Sequence, residues 1–266
     1  TVRALNSLAA TRTVEHYFQW LMNAVADAEG GHIQPVLGLG LETALTERIS
    51  PSLQGFRGMG PVRRGNAAYK QIQHDCYGQI VLPSAQGFFD TRLLRPADEH
   101  DFESLEQVGN MAWAMHDQPD AGLWEFRTRQ EGHTYSAVMC WAACDRLANV
   151  AATLGKGDRV VHWKQRADAI RAKIDENAWS EEGGHYGASF ESDYLDASLL
   201  QLVELRYLTP DDERFLKTFA AVERDRFAVF AHPHQVVPEV GFVALLLEVQ
   251  PDQWSADEVR DGGADG

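Results

Sequence analysis

Cysteine is scarce: the 266 residues carry three, Cys76, Cys140 and Cys144. So few, and odd in number, they make no disulfide framework, and a chain without one is expected in a reducing compartment, the cytoplasm. Basic residues are outnumbered, 24 Lys and Arg against 39 Asp and Glu. Such a surface repels nucleic-acid backbones and anionic membranes and favours a neutral or cationic partner. No apolar run approaches the roughly 20 residues a membrane-spanning helix needs, and residues 1–30 lack the basic, apolar and small-residue order of a signal peptide. Strand signals are almost absent. The glycines around Gly38–Gly40 and Gly58–Gly60 follow no strand and precede no Lys-Ser pair, which argues against a phosphate cradle. No metal and no cofactor is expected. Cys140 and Cys144, one helical turn apart beside Trp141, lack further ligands at zinc spacing and read as a buried helix face. His232 and His234 are only two ligands in a proline-bent loop.

What is present is helical periodicity. Val14, Tyr17, Phe18, Leu21, Met22 and Val25 recur at three-and-four spacing, and Gly30-Gly31 supplies the stop. A second tract starts near Asn66 and places Tyr69, Ile72, Cys76 and Ile80 on one stripe before Pro83 kinks or interrupts it. Further helices are predicted over 101–116, with Phe102, Leu105, Val108 and Trp113 inward, and over 136–154, 158–176, 196–205 and 210–222. Between them, short turns such as Gly155-Lys156-Gly157 alternate with long loops at 31–65, 118–133 and 179–195. A ring of helical hairpins with short turns on one face and long loops on the other makes a cup whose chemistry sits among the long loops. The 31–65 stretch, rich in Gly and Pro yet carrying Phe56, Arg57, Met59 and Arg63, reads as an ordered loop at its mouth.

The segment from Asp117 to Arg127 is a loop by its Pro and Gly content, yet it holds Trp124, Glu125 and Arg127 within four positions. A sugar offers an apolar ring face and a rim of hydroxyls, so a site for it needs an aromatic platform beside charged hydrogen-bonding groups. Splitting a glycosidic bond needs one carboxylic acid to protonate the leaving oxygen and a second carboxylate to activate water or attack the sugar carbon. Burial against an indole keeps such an acid protonated. Glu125 beside Trp124 fits that role, and a loop plug in which Glu125 merely pairs with Arg127 fits the spacing too.

Four stretches extend the comparison: GFRGMGPVRRGNAAYKQIQHDCYG at Gly55–Gly78, DAGLWEFRTR at Asp120–Arg129, HTYSAVMCWAACDRLA at His133–Ala148 and LDASLL at Leu195–Leu200. In this order they resemble the bacterial family of glucoamylases, glucodextranases and trehalases. The resemblance implies an all-α fold, the (α/α)6 barrel, and inverting attack of water on an α-linked glucoside, with glucose released from the non-reducing end of trehalose or an α-glucan oligosaccharide. It makes Glu125 the general acid. It places Trp124 along the cleft, Arg127 on sugar hydroxyls or on the acid, and Asn66 and Tyr77 on the sugar-facing wall. The partner it implies is a small carbohydrate.

Departures from the family pattern shape further expectations. An N-terminal β-sandwich domain and the Arg-Asn-Trp-Asp-Tyr-Arg stretch ending in Leu-Arg-Asp are not found, and Thr1-Val2-Arg3-Ala4-Leu5 resembles the helix that follows that aspartate. The resemblance fades after Phe227 and flickers at Pro238–Phe242, so residues 1–227 read as a partial catalytic domain, incomplete at both ends. Residues 228–266 read as a divergent segment with an acidic tail prone to disorder. The family's second glutamate has no match in the last stretch, and neither Glu239 nor Glu248 is assigned to it. An open ring of this kind is expected to be weakly active or inactive alone and to self-associate through uncovered apolar faces. The rival expectation is a non-catalytic helical scaffold or carbohydrate-binding module.

Overall fold

Apolar residues at helical spacing organise more than half of the described chain. The computed structural model describes residues 2–28 and 31–230. Eight α-helices run through them: α1 (Val2–Ser7), α2 (Thr11–Asp27), α3 (Asp75–Ala85), α4 (Glu99–Met115), α5 (Thr134–Thr153), α6 (Gly157–Ala178), α7 (Gln201–Glu204) and α8 (Glu213–Phe230). Strand structure among the described residues is limited to two short antiparallel pairs. In one, β1 (Arg48–Ile49) joins β2 (Arg63–Arg64); in the other, β3 (Trp179–Ser180) joins β4 (His185–Tyr186). The chain divides into two compact units, Thr1–Asp225 and Arg226–Gly266. His232, His234, the Pro238–Phe242 stretch, Glu239 and Glu248 lie outside the described residues.

Burial separates the helices into two kinds. On α2 the buried positions Val14, Leu21, Ala24 and Val25 form one stripe, so this helix covers others and keeps a polar face in water. α4 buries Phe102, Leu105, Val108, Gly109 and Ala112, and α6 buries Trp163, Ala167, Ile170, Ile174 and Ala178, again one face each. By contrast, 14 of the 20 residues of α5 are buried, from Thr134 through Ala151. Its runs of Ala and Cys at 140–144 suit contact on several sides, and α3, α4 and α6 all pack against it. α3 and α5 therefore form an inner layer, with α2, α4 and α6 outside it. This is the layered arrangement of an (α/α) barrel. Among the described residues, no helix is long and apolar enough to cross a membrane.

Polar signals fix the ends. Asp98 caps α4 in a capping box, its carboxylate accepting from His100 N and Asp101 N while the Asp101 carboxylate accepts from Asp98 N. Gly155, at φ +69°, turns the chain between α5 and α6 in the left-handed region that glycine enters without penalty. The predicted helix at 196–205 is a 3-10 turn, Ala197–Leu200, leading into α7. The helix predicted over 210–222 is α8, which starts at Glu213.

The helical tract expected from Asn66 is a 3-10 turn at Ala67–Lys70, then four residues of non-helical chain, and α3 begins only at Asp75. The supposed stripe is not shared, since Ile72 is 44% exposed. Residues 71–73 stand out of helical geometry between hydrogen bonds to a distant loop: Ile72 O accepts from Ala121 N, and His74 N, at the cap of α3, donates to Asp120 Oδ2. Pro83 does interrupt, for α3 ends two residues later and continues as a 3-10 turn.

The inner helices approach closely at Gly78. A Cβ there would lie 2.4 Å from the carbonyl oxygen of Met139 on α5. Backbone cannot rotate aside as a side chain can, so the two helices must separate to admit it. Gly78→Ala is expected to destabilise the fold by about 1–3 kcal/mol, seen as a melting temperature several degrees lower. An unchanged melting temperature would contradict the close approach.

Candidate active site

The three long loops meet beside the first turns of α3 and α5. Two lead into the inner helices, 31–74 into α3 and 116–133 into α5, and 179–196 leads into the 3-10 turn before α7. Arg127 donates to Glu47 Oε2 at 3.0 Å, and Arg63 pairs with the same carboxylate at 3.0 Å. Trp124 Nε1 donates to Asp196 Oδ2 at 3.0 Å. Phe190 N donates to Gly132 O, and Thr134 N to Ala188 O. The loops thus brace one another.

The loop bearing Trp124, Glu125 and Arg127 is closed at its neck and folded tightly at its tip. Asp120 and Glu131 exchange both backbone hydrogen bonds, at 2.9 and 3.1 Å. At the tip, Glu125 N donates to Gly122 O and Phe126 N to Ala121 O. Gly122 has φ +67° and Glu125 φ +55°. A non-glycine residue in the left-handed region is strained unless its surroundings hold it, and such residues cluster at functional sites. Arg129 lies 4.0 Å from the Phe126 ring centre and 5.0 Å from that of Tyr194, adding cation–π contacts at the base of the loop.

The residues singled out in the sequence fall in unlike places. Trp124, Glu125 and Arg127 share the exposed tip, with Trp124 52% exposed. The dry setting expected for Glu125 beside the indole is not found: both side chains are exposed, because the turn stands out from the helix ends. Nor does Glu125 pair with Arg127, whose partner is Glu47, and that guanidinium holds the Glu47 carboxyl below the usual carboxylate range. Asn66 caps the turn at Ala67–Lys70, its Oδ1 accepting from Ala68 N at 3.0 Å. Tyr77 is fully buried, its ring stacked on His74 and its hydroxyl 3.3 Å from His32 Nδ1. As the third residue of α3 it faces the core rather than a wall open to sugar.

Beneath the tip lies a polar group that sequence reasoning missed. Asp120 is wholly buried, and its Oδ2 accepts from His74 N at 2.7 Å and Ser136 Oγ at 2.8 Å. One carboxylate thereby joins the loop to both inner helices. Asp75, buried beside it, accepts from Gln79 Nε2 at 2.7 Å. Burial, with the nearby charge of Asp120 adding to it, pushes the Asp75 carboxyl up to about 6. Burial has the opposite effect on His74, favouring neutral imidazole and lowering its pKa. The one available signal was the run Gln71-Ile72-Gln73-His74-Asp75, which puts polar residues where a continuing helix would need apolar ones.

The Asp75 shift has a stability consequence with a definite sign. A carboxyl whose folded-state pKa is raised contributes stability below its unfolded value, near 3.8, and loses it as pH rises through about 6. The neutral preference of His74 works the other way over an overlapping range, so the parent is best compared with a variant. Asp75→Asn is expected to remove this loss and to be more stable than the parent at pH 7 by up to about 3 kcal/mol, with the difference vanishing near pH 4. Urea melts of both proteins across pH 4–7 measure it, and parallel curves would refute it.

Comparison with known proteins fits this architecture. The family model described as glycosyl hydrolases family 15 matches residues 1–232. The trehalase of Thermoplasma volcanium is 29% identical over 84% of this chain and 35% of its own length. That of Mycobacterium tuberculosis is 32% identical over 82% of this chain and 32% of its own length. The chain thus spans about a third of the length of these curated relatives. A solved glycosidase structure superposes with a TM-score of 0.60 at 17% identity, covering 84% of this chain and 58% of that one, a likeness of fold. With the family model matching it from end to end of the described residues, this chain belongs to the glycosyl hydrolases of family 15.

Proposed function

We propose that this chain is the part of a glycoside hydrolase that carries the general acid, Glu125, for cleaving the α-glucosidic bond of trehalose or of an α-glucan oligosaccharide. The observation that carries the proposal is the tip of the 120–131 loop, where a strained Glu125 stands beside a half-exposed indole among three mutually braced loops. The trehalase relatives and the family match support it. Residues 1–227 belong to the catalytic domain in this reading, and the free, buried Cys140 and Cys144 suit a reducing, cytoplasmic setting.

In the proposed chemistry Trp124 offers its face to the apolar side of a glucose ring, with its N–H anchored on Asp196. Arg127, steadied by Glu47, presents its remaining donors to sugar hydroxyls, and Asn66 lies at the rim. Tyr77 supports α3 from below. Glu125 gives its proton to the leaving oxygen as the C1–O bond breaks, while water bonds to C1 from the opposite face with inversion. The carboxylate that activates this water is not among the described residues in this reading, and turnover by the chain alone is expected to be weak.

The exposure of Glu125 favours a second reading, in which the face binds glucan or trehalose without cleaving it. Calorimetry with trehalose and maltooligosaccharides, run beside a glucose-release assay, separates the two: heat with glucose means enzyme, heat alone means a binding module. Where glucose is released, Glu125→Gln keeps the side chain's shape and removes its proton, and is expected to lower turnover by about 10²–10⁴-fold. Turnover equal to the parent's would remove Glu125 from the mechanism.

A further inference from the structure

Gln71 lies in the non-helical stretch before α3, 54 residues from Glu125 in sequence, yet its side chain is spent on the backbone of that residue. Its Nε2 donates to Glu125 O at 3.1 Å and to Phe126 O at 3.2 Å. Its Oε1 accepts from Gln73 Nε2 at 3.0 Å, which turns the amide so that both N–H groups face the loop. The next residues continue the attachment, Ile72 O accepting from Ala121 N and His74 N donating to Asp120. Residues 71–74 therefore run along the loop as a rail.

The grip falls where the backbone most needs it. Glu125 has φ +55°, and if the residue relaxed to the right-handed region its Cα–Cβ bond would swing away and carry the carboxyl with it. A left-handed non-glycine residue persists only where its surroundings over-determine it. The bonds inside the turn, from Glu125 N and Phe126 N, involve the donors of these two residues. Gln71 takes their acceptors, from outside the loop.

We propose that Gln71 is a positioning residue for Glu125, holding the acid's backbone in the left-handed conformation that aims its carboxyl. The inference rests on the reading of Glu125 as the proton donor. It is distinct from a general stabilising role because a misaimed acid harms only reactions that need a proton. In cleavage of a disaccharide the leaving sugar oxygen takes the C1–O electron pair together with the proton of Glu125. In cleavage of α-glucosyl fluoride the same electron pair leaves with fluoride, which needs little protonation. Water supplies the new C1–O bond in both.

The test compares the parent with Gln71→Glu, which has the same length but opposes a carboxylate to two carbonyl oxygens, and with Gln71→Ala. Both are expected to lower kcat/KM on trehalose or maltose by about 10-fold or more and on α-glucosyl fluoride by no more than about 3-fold. Glu125→Gln should show the same skew, and the double variant should be no worse than Glu125→Gln alone. Equal losses on both substrates for the Gln71 variants, with the skew kept by Glu125→Gln, would overturn the inference while leaving the acid in place. No skew in Glu125→Gln would overturn the acid reading and the positioning role with it. Amide hydrogen exchange of residues 120–131 gives a readout free of turnover: the Gln71 variants should exchange about 10-fold faster there at an unchanged melting temperature. Unchanged exchange would refute the grip whether or not the chain turns over sugar.

Discussion

A buried carboxylate organises the mouth of this protein. Asp120 has no surface in water, and of its two buried oxygens Oδ2 offsets the cost with hydrogen bonds from the ends of two helices while Oδ1 makes none. His74 N belongs to the residue that caps α3 and Ser136 Oγ to the first turn of α5. The N-terminal ends of helices carry unsatisfied N–H groups and a positive partial charge, which makes them natural partners for an anion. Because Asp120 also sits in the two-bond neck of the 120–131 loop, the position of the tip follows from the packing of the two inner helices. Rigid elements thus set a loop that would otherwise be free to wander.

The same constraint explains how much of the architecture was legible in the sequence. α2 and α4 each present one apolar stripe of period 3.6, so both could be read from local spacing, α4 from residue 101 although it begins at Glu99. The start of α3 could not, because Gln71 to Gln73 stand out of helical geometry beside partners some fifty residues away. Local propensity favoured a helix there, and tertiary hydrogen bonds overrode it.

The site was legible in part, for a related reason. A Trp, a Glu and an Arg within four positions of a Gly- and Pro-bearing loop stand out, and the loop does bring them to one exposed tip. What each side chain touches depends on residues 80 and 72 positions distant, Glu47 for Arg127 and Asp196 for Trp124, and no spacing rule reaches that far. Tyr77, expected on the sugar-facing wall, lies in the core, and the sequence does not say which way a residue of α3 points when the buried positions Tyr77, Gly78, Ile80 and Val81 cover more than one side of the helix. The polar run before α3 was the visible trace of Asp120's attachments.

A helix with most of its residues enclosed, as α5 is, has little spare room on any side. Extra volume at Ala143 or Cys144 must be taken from α3, α4 or α6, so the central rod of this molecule changes only in concert with its neighbours. The loops above it are under no such restriction beyond their anchor points. Substitution is therefore borne most easily at exposed loop positions beside those anchors, such as Thr128 and Gln130, while the framework beneath them stays as it is.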